Sequence, residues 1–307
     1  MLKPRALRPD DRIAVVAPAS PLDRDEFFVG IAELERLGFK PVYDDSVFAQ
    51  EGYVAGSATL RRDALRRAWQ DPSVAGVVAV RGGYGSVQAL PWLSTDEIRE
   101  TPKAFIGYSD LTTILTHLTI NCGLVCFHGP MLDRRLSRGE QGYDRASFLN
   151  CVTKPEPAGE LQAPKLETLK TGDADAPLLG GNLTQLIASL GTPYAFRPAG
   201  PYVLFLEEVS ERPYRLDRMV TQLRLSGALT TAVAVVIGEL QNCDEPGGEY
   251  TGRSTMASLF RDFPGPVVFG FPSGHTTGAL VTLPLGVRVR VAATSQARVI
   301  VEEAAVA

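Results

Sequence analysis

Between residues 12 and 150 the chain alternates short, almost wholly apolar runs with longer runs that are apolar only at every third or fourth position, and few folds accept that pattern. Residues 12–17 (RIAVVA), 74–80 (VAGVVAV), 104–108 (AFIGY) and 124–127 (LVCF) carry almost no charge, as strands do when both faces of their sheet are covered. Between them, residues 23–37 place Phe27, Ile31, Leu34 and Leu37 at helical spacing, and the Arg-rich 58–69 and residues 111–118 also read as helices, with a short extended piece at 41–43. Successive strands joined by helical crossovers must run parallel. The first half is therefore expected to be a doubly wound α/β domain.

The stretch 153–176 (TKPEPAGELQAPKLETLKTGDADA) has three Pro, several charges and no sustained period, so it reads as a linker with one extended segment. A second unit follows, with helices at 182–190 and 213–225 and strands at 202–206 and 233–237. The tail differs: 280–283, 287–291 (VRVRV) and 299–301 are short and β-rich, and the middle run alternates as antiparallel strands do. The expected fold class is α/β, with an N-terminal doubly wound parallel-sheet domain (1–155), a linker (156–176) and a C-terminal α/β domain with a β-rich, partly antiparallel portion (177–307).

Composition excludes several functions. Across 307 residues, 31 Lys plus Arg against 35 Asp plus Glu give a net charge of −4, so nothing draws the whole chain to nucleic acid or an anionic membrane. The four Cys (Cys122, Cys126, Cys151, Cys243) form no CxxC pair and do not combine with the three His in metal-binding spacing. A disulfide scaffold, a zinc module and an oxidising compartment are therefore not expected. The apolar run at 13–18 is too short for a signal peptide, and no stretch approaches the ~20 residues that span a bilayer. The expected setting is soluble and cytoplasmic.

The sharpest local signal is Phe105-Ile106-Gly107-Tyr108-Ser109-Asp110, a strand running through Gly-x-Ser-Asp straight into a helix. A Ser on such a turn stands above the carboxyl edge of the sheet, with helix-start amides facing any oxyanion it generates. Leu111 stands where a nucleophile elbow usually has its second Gly, and Ser109 or Asp110 would also serve as an ordinary N-cap. A second signal is Arg81-Gly82-Gly83-Tyr84-Gly85-Ser86, directly after the 74–80 strand. Its glycines let backbone N–H groups approach a ligand, but its register does not match a dinucleotide-binding loop.

A nucleophilic Ser needs a base. His117 lies eight residues along the same helix, ~12 Å away, and cannot reach. His128 ends the 124–127 strand on the same sheet edge as Ser109. His275 sits in a Pro- and Gly-bounded loop, Phe271-Pro272-Ser273-Gly274-His275. For the group that orients the base, the 202–206 strand ends in Glu207-Glu208, with Glu211 and Asp217 as alternatives beside Arg212, Arg215 and Arg218. If the strand continues, Glu207 and Glu208 point to opposite faces.

The segments RGGYGS (81–86), GYSD (107–110), HGPM (128–131), LLGGNL (178–183), LFLEEVSERPYRLDRM (204–219) and SGHTTGALVTLPLG (273–286) resemble the LD-carboxypeptidase family of serine peptidases, in order from residue 12 to 286. That family contains muramoyl-tetrapeptide carboxypeptidases and microcin C immunity hydrolases. The resemblance implies a nucleophile in the N-terminal domain, Glu and His in the C-terminal domain, and a cleft site between them. It singles out Ser109, Glu207 and His275 as catalytic and gives His128 a structural role.

Under that resemblance the oxyanion would be held by the backbone N–H of Asp110 and by Gly82 and Gly83, with Arg81 as the candidate for the substrate's carboxylate. The implied reaction removes the terminal D-alanine of a cell-wall tetrapeptide from the L-centre of a diamino acid, without metal or cofactor. The modest loop at 242–251 favours this over the microcin-type amide hydrolase. A non-catalytic binder of a nucleotide or sugar phosphate on the 82–85 loop is the alternative from another class. The expected partners are a muropeptide or peptide substrate and, as the assembly to test, a second copy in a homodimer, with neither nucleic acid nor membrane.

Overall fold

In a computed structural model that describes residues 1–90 and 94–307, the chain builds two β-sheets. The first lobe comprises β1 (Arg12–Val16), α1 (Arg24–Arg36), β2 (Lys40–Val42), α2 (Ala58–Gln70), β3 (Val74–Ala79), α3 (Thr95–Glu100), β4 (Ala104–Gly107), α4 (Thr112–Thr116), β5 (Cys126–His128) and α5 (Arg145–Thr153). Its strands pair in parallel in the order β2-β1-β3-β4-β5, the doubly wound arrangement expected from the sequence. Strand order reverses between β1 and β3, which opens a crevice at the carboxyl edge of the sheet. Every residue of β3 is buried, the reason its sequence is uninterrupted Val, Ala and Gly.

The rest of the chain contains β6 (Gly159–Glu160), β7 (Glu167–Lys170), β8 (Gly172–Asn182), α6 (Leu183–Ser189), β9 (Tyr202–Glu207), α7 (Pro213–Leu225), β10 (Ala232–Gly238), α8 (Gly252–Leu259), β11 (Val267–Phe271), β12 (Leu283–Leu285), β13 (Arg288–Ala293) and β14 (Ala297–Val301), of which all but β12 build the second lobe. Its sheet runs β6-β14-β13-β8-β9-β10-β11-β7, with β8 to β11 parallel and the remaining pairs antiparallel. The two faces of β9 and β10 have different neighbours. Val203, Phe205, Ala234 and Val236 join a core continuous with the first lobe, whereas Leu204, Leu206, Val235 and Ile237 pack with residues of α6, α7 and α8.

Two expectations are corrected. Residues 156–176 are not a linker, because β6, β7 and the first part of β8 lie there. β6 and β7 are too short to carry a period of their own, and all three are held by pairing with distant partners. The charges that suggested a solvated linker are cross-strand partners: Asp173 accepts from Arg290 at 2.8 and 2.6 Å, and Asp175 pairs with Arg288. The tail also does not stay in the second lobe. β12 pairs antiparallel with β5, Leu283 opposite His128, so the loop between β11 and β12 is strung from one sheet to the other. Among the described residues no helix is long and apolar enough to cross a membrane, and no His/Cys/Asp/Glu group has the makings of a metal site.

Candidate active site

The turn after β4 is a strained elbow. Ser109 has φ +64°, in the left-handed region that few non-glycine residues adopt and that costs about 1–2 kcal/mol. The departure from the usual elbow pattern has a packing cause: a Cβ on Gly107 would lie 3.1 Å from Leu111, so Leu111 fills the space over Gly107. Asp110 does not cap its own helix. Its Oδ2 accepts from the Ser86 N–H at 2.8 Å, and the Ser86 hydroxyl donates to the Asp110 carbonyl at 2.7 Å, which rivets the Ser109 turn to the glycine loop. Burial pushes the Asp110 carboxyl up, partly offset by those bonds.

The glycine loop lies directly against the elbow. A Cβ on Gly82 would sit 2.9 Å from Ser109 Cβ, 3.0 Å from its Oγ and 3.4 Å from the Asp110 nitrogen, and one on Gly83, at φ +99°, would strike Ser20 Oγ at 2.2 Å. Only glycine permits this approach, which places Gly82 beside Ser109 Oγ and the first amides of the helix. Helix-start amides lack intrahelical partners and are free to face an anion.

The carboxylate paired with His275 comes from the second lobe. Glu207 ends β9 on the face that carries Val203 and Phe205, turned toward the first lobe, and is fully buried. Its Oε2 accepts from His275 Nδ1 at 2.7 Å and from the His275 backbone N–H at 2.9 Å. A Cβ on Gly274 (φ +78°) would come within 2.6 to 2.7 Å of the carboxyl group, and one on Gly238 within 2.8 Å of Glu207 Cβ, so both glycines make room for it. Burial works against ionisation of Glu207, but the charge and hydrogen bonds of His275 outweigh it and hold the carboxyl below its usual range. Burial likewise opposes the imidazolium, and the same carboxylate outweighs it and raises His275 above 6.5. With Nδ1–H committed to Glu207, Nε2 is left to exchange a proton.

Glu208 has a different task. It faces the other way, its two oxygens taking the Asn182 amide at 3.0 Å, the Thr184 N–H at 2.8 Å, the Thr184 hydroxyl at 2.7 Å and the Val209 N–H at 2.9 Å. It fixes the start of α6. The adjoining Gly181 (φ +147°) would set a Cβ 2.6 Å from Thr112 Oγ1, so the double glycine of LLGGNL lets the second lobe close onto α4. Glu211 and Asp217 stay outside, bonded to Arg215 and Thr221.

Of the other histidines, His117 bonds Asn121 and packs on Tyr194. His128 is fully buried, its Nδ1 3.0 Å from Ser273 Oγ, and burial lowers it to about 4. It underlies the cleft and does not face Ser109. Ser109 and His275 line one cleft of about 390 Å³ with Arg81, Gly82, Gly83 and Tyr108. Among the described residues no hydrogen bond joins them directly, and such contacts often tighten only when substrate binds.

Arg81 lines the same cleft with its Nη1 3.2 Å from Asp133 Oδ2. Burial and the hydrogen bond and charge of the neighbouring Glu26 push the Asp133 carboxyl up, against the opposing pull of Arg81 and Arg134. Sequence reasoning passed over Tyr108, whose ring meets His275 edge-on at 5.3 Å, and Arg135. Two consecutive Arg just beyond a strand's carboxyl end were the available signal for the latter.

Residues 13–129 match the LD-carboxypeptidase N-terminal domain and residues 175–291 the LD-carboxypeptidase C-terminal domain. The chain is 32% identical over 291 residues to the probable murein peptide carboxypeptidase of Bacillus subtilis, covering 93% of this chain and 90% of that one. It is 26% identical to the microcin C7 self-immunity protein of Escherichia coli, over 90% of this chain and 88% of the relative. The crystal structure of muramoyltetrapeptide carboxypeptidase from Oxalobacter formigenes superposes with a TM-score of 0.81 at 28% identity, covering 94% of this chain and 97% of that one.

Proposed function

The chain belongs to the LD-carboxypeptidase family, and from that premise we propose that it is a serine-type LD-carboxypeptidase that releases the terminal D-alanine of a muramoyl tetrapeptide during peptidoglycan recycling. The observation that carries this reading is a half-buried His275, held by the fully buried Glu207, on the same cleft as a strained Ser109 elbow. Ser109 Oγ attacks the scissile carbonyl while His275 Nε2 takes its proton and returns it to the leaving amine. Glu207 keeps the proton of the resting imidazole on Nδ1 and stabilises the imidazolium. The oxyanion is held by the N–H of Asp110 and by the Gly82-Gly83 loop. Arg81 takes the substrate's free carboxylate, for which a guanidinium is the suitable geometry. Incubation with purified muropeptide tetrapeptide and mass spectrometry of the products tests the reading: loss of one alanine is expected, and an unchanged substrate rejects it.

The second reading, an amide hydrolase acting on a peptidyl nucleotide, draws on the similarity to the microcin C7 self-immunity protein. Higher identity to the Bacillus subtilis carboxypeptidase and the short loop at 242–251 favour the first. Assaying both substrate classes side by side separates them.

Two results follow from the Glu207–His275 pair. His275 must be neutral to accept the proton from Ser109, and its raised pKa delays that neutral form. The kcat/KM profile should therefore lose activity as pH falls, with a midpoint above 6.5; a profile flat from pH 8 to 6 would contradict the pairing. Glu207→Gln should leave KM nearly unchanged and lower kcat by ~10⁴, since an amide presents N–H where Nδ1–H needs an acceptor. Glu208→Gln should cost stability by loosening the start of α6, and kcat far less. If Glu208→Gln carries the larger kcat loss, the face assignment of β9 is wrong.

A further inference from the structure

Arg135 is a buried charge to which the reaction above gives no task. It follows β5 in the first lobe and is 9% exposed. Its Nη2 donates to the carbonyls of Gly274 at 2.8 Å and Thr276 at 3.1 Å, the residues on either side of His275. Its Nη1 donates to the carbonyls of Gly278 at 3.0 Å and Gly142 at 3.2 Å. The guanidinium carbon stands 5.7 Å from the centre of the Tyr108 ring, with Nε 3.4 Å from the Tyr108 hydroxyl. Tyr108 is the residue before Ser109, so one side chain touches both the loop of the base and the approach to the nucleophile. Among the described residues Arg135 has no carboxylate within ion-pair distance.

We propose that Arg135 is a positioning residue for the reaction: a guanidinium supplied by the first lobe that grips the carbonyls flanking His275 and so sets the base against Ser109. The proposal rests on the reading of Ser109 and His275 as nucleophile and base. The loop needs such a grip. It is strung between β11 of one sheet and β12 of the other, and Gly274 and Gly278 give it little stiffness of its own. Its amide side is held by Glu207, through the His275 N–H, and by Glu239, which accepts from the Thr277 N–H at 2.9 Å and the Thr277 hydroxyl at 2.8 Å. Arg135 holds its carbonyl side. A planar fork spans several carbonyls in fixed directions, which the three radial donors of an ammonium do not reproduce.

The placement also has an electrostatic consequence. Glu207 and Glu208 favour the imidazolium of His275, whereas burial and the Arg135 cation oppose it; His128 and Tyr108 are the other titratable neighbours, and both stay neutral at physiological pH. Arg135 thus holds down a base that its two carboxylates would otherwise drive further up.

The test measures the rate at which a fluorophosphonate labels Ser109, alongside D-alanine release, for the full chain and for Arg135→Lys and Arg135→Gln across pH, with thermal unfolding as the control for fold. Arg135→Lys keeps the charge and loses the fork. It should label and turn over ~10²-fold more slowly, with KM within about threefold of the parent and the acid limb unmoved. Arg135→Gln should lose at least as much, and its acid limb should move to higher pH. A purely structural role would not move that limb.

Parent-like labelling of Arg135→Lys, a KM rise that accounts for the loss, an unmoved limb in Arg135→Gln, or failure of both variants to unfold cooperatively would each overturn the proposal. A parent protein that is labelled but releases no D-alanine overturns the substrate reading alone. One that is never labelled overturns both.

Discussion

Ser109→Ala is expected to lower D-alanine release by ~10⁶, the loss seen when the nucleophile of a serine peptidase is removed, with an unchanged melting temperature. Without the hydroxyl there is no acyl intermediate, and only the oxyanion donors and substrate binding still lower the barrier. The fold has little reason to respond. Ser109 is only partly buried, and its Oγ makes no hydrogen bond among the described residues. Alanine meets the same steric cost at φ +64° as serine does. Melting curves with stopped or quenched turnover assays check both halves. Near-parent turnover by a folded variant would remove Ser109 from the mechanism.

The elbow itself was legible in the sequence because it is a local device, whereas the role given to Ser109 came from the family resemblance, since the same residues would also serve as an ordinary N-cap. Gly107, Ser109 and the following helix lie within a few residues, and their geometry follows from strand-to-turn-to-helix chemistry alone. The parallel character of the first sheet was likewise legible, because β1, β3, β4 and β5 announce themselves by continuous apolar runs separated by helices; their order was not. The choice between Glu207 and Glu208 was half legible: alternation along a strand says that only one faces the cleft, but which face meets the first lobe depends on how β9 packs. Val203 and Phe205 share a core with the first lobe, and that decides for Glu207.

What remained hidden depends on contacts distant in sequence. β6 and β7, of two and four residues, have no periodicity to read, and their ladders close with β14 and β11. The antiparallel join of β12 to β5 is likewise a property of the whole chain and not of residues 283–285. The charges at Asp173 and Asp175 misled because they are indeed exposed, and only the placing of β13 beside them shows that they pair with Arg290 and Arg288 on a strand rather than lie in a linker. Arg135 was missed because its partners are backbone carbonyls of a distant loop, which the pair Arg134-Arg135 cannot by itself name.

His275→Ala is expected to cost about as much as Ser109→Ala, because residues that act as one unit in a peptidase lose nearly everything when any essential member is removed. The double variant Ser109→Ala/His275→Ala should then be scarcely slower than either single one. His128→Ala should behave differently. His128 is fully buried, touches Ser273 at 3.0 Å, packs on Phe205 at 5.0 Å between ring centres and, lowered to about 4, stays neutral through the working range. Its removal opens a cavity beneath the cleft and should cost a few kcal/mol of stability. The loss of kcat/KM, measured below the lowered melting temperature, should stay within about tenfold, against ~10⁶ for His275→Ala. His275 lines the cleft and His128 does not, and only His275 has its Nδ1–H held by a buried carboxylate so that Nε2 is free to act. A larger loss for His128→Ala would move the base into the first lobe, and additive losses in the Ser109/His275 double variant would show that the two side chains do not serve one proton transfer.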